Sequence, residues 1–210
     1  MTLFDRLVLL ATGLVAIYLL FRFYEDQRRA KATHNIYYMV SFAVLLVAGL
    51  LLIAFDYDAL ASPLVVIAGA LIPLGISLGL VSEFFPKFEK GYNLVALVGF
   101  LTIAITRFTG SEGLATVMLI IFHSIAGAII LVTPYTVSQQ GKVLKAFTWV
   151  SVGGLLIDTG GVALAFYKNG KQFLFFDEDI IFAVLAPLLL LMSLAFTWGF
   201  VKKLYAARSA

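Results

Sequence analysis

Seven stretches of roughly 20 apolar residues follow one another along this chain, separated by short polar segments. Nothing constrains the fold more. In hydrocarbon a backbone N–H or C=O has no water to bond, so a spanning segment must be a helix or part of a closed barrel. A barrel would show short alternating strands, and none is present. The expected fold class is all-α, a polytopic membrane protein built as a seven-transmembrane-helix bundle. Residues 1–210 form one domain, with spans at about 4–23, 36–55, 60–82, 92–109, 114–133, 146–167 and 180–201.

Charge agrees with this. Only 13% of residues are Asp, Glu, Lys or Arg, about half of what a water-soluble surface carries. The punctuation between spans is chemically ordinary. "RFYEDQRRAKATHN" is too charged for lipid, Pro86 cannot continue a helix, and "TGSEG" at 109–113 is a turn sequence. "DYD" at 56–58, "TPYTVSQQGK" and "YKNGKQFLFFDED" mark the remaining junctions. The first apolar run has no small-residue cleavage site after it, so it is expected to stay as a helix.

Seven spans put the termini on opposite sides. Arg22, Arg28, Arg29, Lys31, Lys87, Lys90, Lys142, Lys145, Lys202, Lys203 and Arg208 fall on the side of the C-terminus. Arg6, Arg107, Lys168 and Lys171 fall on the other. Basic residues favour the cytoplasmic side. The expected location is the cell (inner, cytoplasmic) membrane, with the N-terminus outside and the C-terminus in the cytoplasm. The net charge of +3 reads as this topology signal and as attraction to lipid headgroups. The expected partner is the lipid bilayer, with homo-oligomer or partner membrane subunits as further possibilities, and not nucleic acid.

"MVSFAVLLVAG" at 39–49 resembles "WVSVGGLLIDT" at 149–159. The same offset lays span 1 on span 5 without a gap. Span 3, with Pro73, meets span 7, with Pro187, after a few inserted residues. This suggests a parallel 3+1+3 repeat with span 4 as the linker; chance alignment of Leu- and Val-rich helices is the alternative. The pattern is similar to that of sugar-transporting proteins made of paired triple-helix bundles, but their Pro-Gln signature is missing, so the likeness is architectural.

Polar groups inside the spans carry whatever chemistry there is. His123 and Asp158 are the two ionisable side chains near mid-depth, on spans expected to pack as antiparallel neighbours. Each is about nine residues from the same end of its span, roughly 14 Å deep, so they can face each other. A charged Asp at mid-span costs about 2.5–3.5 kcal/mol. Protonation, pairing with an imidazolium, or access to water would relieve that cost. Small residues share these faces: Gly154 and Gly161 with Asp158, Gly127 with His123. Thr102, Thr116, Ser151, Thr159, Ser193 and Thr197 are candidate solute or water contacts. The two functional readings are a small-solute or ion transporter or channel with a proton-sensitive His/Asp site between spans 5 and 6, and a non-catalytic subunit of a larger membrane complex, for example a respiratory one. A polar pair that merely joins two helices is the structural alternative.

Other motifs carry less. Asp158-Thr159-Gly160 matches the aspartic-protease tripeptide, but that chemistry needs two carboxylates sharing a proton, and Tyr57-Asp58 sits at a span end. His34 and His123 lie at different depths and should not flank a haem. Span 7 has no lysine before Lys202, so a retinal Schiff base is not expected. With no cysteine and no His/Asp/Glu ligand spacing, no metal, cofactor or catalytic residue is expected. A membrane enzyme ranks third among the readings, because the sequence offers too few catalytic groups.

Overall fold

The computed structural model describes residues 1–110, 112–167, 170–172 and 174–209, without the side chains of Glu112, Arg208 and Ser209. Lys168, counted above, lies outside these residues. Seven long helices carry the fold: α1 (Leu3–Ala30), α2 (Thr33–Phe55), α3 (Pro63–Phe84), α4 (Glu89–Phe108), α5 (Glu112–Gln139), α6 (Trp149–Tyr167) and α7 (Glu178–Ser209). Each of the seven helical segments is long and apolar enough to cross a membrane, which is compatible with a multi-pass membrane protein. Leu7, Leu14 and Phe21, seven residues apart on α1, show one such outward apolar stripe.

Helix ends follow local chemistry. Thr2 caps α1 in a reciprocal box: the Asp5 N–H donates to Thr2 Oγ1 at 3.2 Å, and the Thr2 N–H donates to Asp5 Oδ2 at 2.8 Å. Lys31 closes α1 in the left-handed region, φ 50°. Pro63 opens α3, where its missing N–H costs nothing. The Ile180 N–H donates to Asp177 Oδ1 at 2.9 Å at the start of α7.

Several helices outrun the apolar spans. α1 continues through the charged "RFYEDQRRA": Arg22 and Phe23 are buried in the bundle, and Arg28, Arg29 and Ala30 at its end are exposed. α5 runs through Pro134 to Gln139, past the expected end at 133. Pro134 removes the one N–H that would bond Ile130 O, and the helix continues past it; Thr136 Oγ1 donates to the later carbonyls Val132 O at 2.9 Å and Thr133 O at 3.0 Å. α7 extends to Ser209, eight residues beyond the expected 201.

Packing is cyclic. α1 packs on α2, α2 on α3, α3 on α5, α5 on α6, α6 on α7, and α7 back on α1. α4 stands outside this ring, in the groove between α3 and α5. The end of the bundle that holds the N-terminus and the α2–α3 junction is called the N-face, and the end that holds the C-terminus the C-face.

Glycines set the closest helix contacts. Gly79 of α3 faces the Tyr38 ring of α2, and Gly75 faces Ser41, so the G-x-x-x-G of α3 serves packing within the bundle. Gly153 of α6 receives the ring of Phe196, and Gly199 of α7 receives Val150. Gly69 differs, with open space where a Cβ would stand. Gly79→Ala should therefore destabilise the protein by about 1–3 kcal/mol through overpacking. Gly69→Ala should stabilise it by about 0.5–1 kcal/mol through helix propensity. Thermal unfolding in detergent compares the two, and equal effects would contradict this packing.

Candidate functional site

α5 and α6 run antiparallel and adjacent, as their short connection requires. His123 on α5 and Asp158 on α6 arrive at the same level. His123 Nε2 lies 3.4 Å from Asp158 Oδ1, with side chains 11% and 24% exposed. This is ion-pair distance without hydrogen-bond geometry, and both atoms are buried with no other partner. Buried polar atoms are seldom left so.

Glycines explain how two polar side chains fit between closely packed helices. A Cβ on Gly127, one turn along α5 from His123, would collide with the Asp158 carboxylate. A Cβ on Gly161, three residues along α6 from Asp158, would stand 2.5 Å from His123 Nε2. Each deep polar group thus fills a notch in the facing helix. One turn further along the same seam, Ile130 fills the notch left by Gly154.

Beside the pair lies a chamber of about 170 Å³ between α2, α3, α5, α6 and α7. It reaches from Leu60 and Val65 near the N-face to Leu45 and Met192 deeper in the bundle. His123 is the one side chain in the described lining with a nitrogen or oxygen atom. Leu, Val, Ile, Ala, Gly, Pro and Met make up the rest.

The other expected contacts go elsewhere. The hydroxyls of Thr102, Thr159, Ser193 and Thr197 donate to carbonyls of their own helices, Val98 at 2.7 Å, Leu155 at 2.8 Å, Leu190 at 2.8 Å and Ser193 at 2.7 Å. In an apolar bundle this is the nearest acceptor a hydroxyl has. Thr102 is also on α4, outside the ring. Thr116 is buried two turns from His123 toward the N-face, and Ser151 two turns from Asp158 toward the C-face. None of these six lines the chamber. Tyr57, set beside the protease motif above, donates its hydroxyl to Phe182 O at 3.0 Å, and His34 sits in the first turn of α2.

A second polar centre was not legible as one. Lys203, counted above among the basic residues that signal topology, is buried toward the C-face. Its Nζ donates to both oxygens of Glu83 on α3, at 2.6 and 2.5 Å. Tyr38 Oη on α2 donates to the same carboxylate at 2.9 Å. Four rings surround the ammonium, Phe147 at 5.2 Å, Tyr38 at 5.5 Å, and Phe84 and Phe200 at 5.7 Å, a cation–π cage. Lys202, one residue earlier, points away and covers Trp198 instead. The signal was helical spacing: Phe196, Phe200 and Lys203 share one face of α7, as Ile76, Leu80 and Glu83 do on α3.

Arg22, also expected in a loop, is buried on α1 with its guanidinium over Tyr205 at 4.6 Å and Nη1 3.0 Å from Glu25.

The notches make a direct prediction. Gly127→Ala should displace Asp158 and destabilise the protein by about 1–3 kcal/mol. In a Gly127→Ala/Asp158→Ala double variant the collision is gone, so the two effects should be non-additive by at least about 0.5 kcal/mol. Additive unfolding energies in the four-protein cycle would show that the notch does not hold the carboxylate.

Comparison with models of known protein families, with curated proteins and with solved structures finds no match to this chain.

Proposed function

We propose that this protein is a multi-pass membrane protein that binds and moves a small, mainly apolar solute, with the His123–Asp158 pair as its proton-sensitive element. One observation carries the reading: among the described residues His123 is the lone polar side chain lining an apolar chamber, and it is backed by a deep carboxylate. The chamber narrows the solute class. An ion entering it would lose its water and meet no shell of oxygens, so a bare ion is disfavoured. A cavity of about 150 Å³ accepts a benzene-sized molecule. A ring or short chain with one hydrogen-bonding group fits both the volume and the single imidazole.

Protonation acts through the pair. With Asp158 ionised, an imidazolium at His123 is favoured and is held on the α6 side. With Asp158 neutral, that hold weakens and the ring is free to answer a solute. Two protonation states thus favour two arrangements of the α5–α6 seam, and solute occupancy shifts the balance between them.

The proposal includes the C-face in the cytoplasm, on the count of 11 basic residues against 4 (together the 15 Lys and Arg of the chain). It also includes descent from a duplicated three-helix unit. Support for that comes from the ring, in which α1–α2–α3 and α5–α6–α7 pack in the same order, the α1–α7 seam is matched by the α5–α3 seam, and the linker α4 lies outside.

Phenol and toluene serve as probes, one ring with and one without a hydroxyl. Purified protein should bind phenol at least about threefold more tightly than toluene, the scale of one modest hydrogen bond. His123→Leu should abolish that preference, Gly69→Phe should fill the chamber and block both probes, and Asp158→Asn should remove the pH dependence of phenol binding. Calorimetry reads all of these, and radiolabelled phenol uptake into proteoliposomes tests pH-dependent movement. No binding of either probe, or binding untouched by Gly69→Phe, would overturn the chamber as the solute site. Co-purification with stable membrane partners and no solute movement would favour the subunit reading.

A further inference from the structure

We infer that the Lys203–Glu83 pair is the separable contact of a C-face gate, at which the two three-helix halves of the ring part and rejoin. This rests on the reading above only for the identity of what passes.

α3 and α7 are not neighbours in the ring, so the pair bridges the middle of the bundle rather than a helix–helix seam. It joins α2 and α3 of one half to α7 of the other. Within each half, notches hold the helices together: Gly75 and Gly79 between α2 and α3, Gly153 and Gly199 between α6 and α7. Between the halves at this level stand the pair, the Arg22–Tyr205 contact of the α1–α7 seam and a plug of aromatic rings. Phe200 meets Tyr38 at 4.7 Å, Phe23 at 5.2 Å and Phe42 at 6.1 Å across the halves, and Phe147 of its own half at 5.6 Å, between ring centres.

Depth places the plug between the C-face and the chamber. Leu45, Ile72 and Met192 line the chamber. They are 7, 11 and 11 residues from Tyr38, Glu83 and Lys203 along α2, α3 and α7, or about 10–16 Å. Phe42 and Phe196 fill that interval. The chamber therefore approaches the N-face and is closed from the C-face by one aromatic layer and one ion pair.

Physical chemistry explains why an ion pair suits this position. A buried pair adds little net stability over well-packed apolar groups, because desolvation offsets the attraction. Its distinctive property is what happens when water enters. Separated Lys and Glu are well hydrated, whereas separated apolar faces are not. A charged contact thus holds the closed state with correct geometry and lowers the free energy of the hydrated open state. An all-apolar seal would hold equally well and open with more difficulty.

Cysteine labelling tests this cleanly, because the chain contains no cysteine. Ser193 is fully buried on α7, three residues below Phe196, and Ser193→Cys is nearly isosteric. A membrane-impermeant cationic thiol reagent is offered to the C-terminal side of sealed vesicles. With the pair intact, labelling should be slow but measurable. Lys203→Met, which leaves Glu83 unpaired, should raise the rate at least tenfold. The charge exchange Glu83→Lys with Lys203→Glu should return it to within threefold of the starting rate. The apolar pair Glu83→Leu with Lys203→Met should slow labelling at least tenfold below the starting rate, with an unchanged or higher unfolding temperature. Ala126→Cys, buried on α5, reports general loosening and should stay unlabelled throughout. If the apolar pair labels as fast as the native pair, or if Ala126→Cys labels whenever Ser193→Cys does, the pair is only structural and the inference fails. Failure of phenol to bind, with labelling as expected, would remove the proposed solute and leave the gate.

Discussion

Two helices that each carry a deep ionisable group can pack closely only if each offers the other a notch. α5 and α6 solve this with Gly127 and Gly161. Asp158 occupies the space a Cβ would take at the first, and His123 the space at the second. The arrangement sets the distance of the pair, aims the His123 ring along the chamber wall, and brings the α5–α6 backbones close. A methyl at either glycine would change all three at once. The candidate site is therefore a property of four residues on two helices, not of a His and an Asp alone.

The bundle treats its polar groups in two ways. Hydroxyls such as Thr102, Thr159, Ser193 and Thr197 fold back onto their own helices and leave the packing surface apolar. The two deep pairs of ionisable groups join different helices instead. His123–Asp158 joins neighbours in the ring beside the chamber, and Lys203–Glu83 joins non-neighbours near the C-face. The aromatic layer of Phe42, Phe196 and Phe200 separates them. A cavity on one side of such a layer and a strong ion pair on the other divide the interior into two compartments with different chemistry.

Legibility in the sequence followed the same division. Apolar runs revealed seven helices because the bilayer length scale leaves few other solutions. His123 and Asp158 stood out because an ionisable residue inside such a run is costly. Lys203 did not, because it lies just past an apolar run, where a solvated lysine is the ordinary reading. Lys202 and Lys203 are adjacent and chemically identical, yet one covers Trp198 at the surface and the other enters an aromatic cage. About 100° of helix rotation separates them, and only the neighbours of α7 give that angle a meaning. Where the hydroxyls of Thr102, Thr159, Ser193 and Thr197 donate was not legible for a related reason: a hydroxyl in a span always has a carbonyl of its own helix within reach.

The length and apolar character of the runs were enough to determine the all-helical class, the number of helices and the shared level of the two central ionisable groups, since each depends on one segment at a time. The closure of the ring through α1 and α7, the exclusion of α4, the glycine notches, the chamber and the caged lysine were decided by tertiary structure. Each is a relation between segments far apart in the chain, set by which helix faces meet. Helical geometry fixes the faces within a segment, but only side-chain packing among all seven chooses their partners.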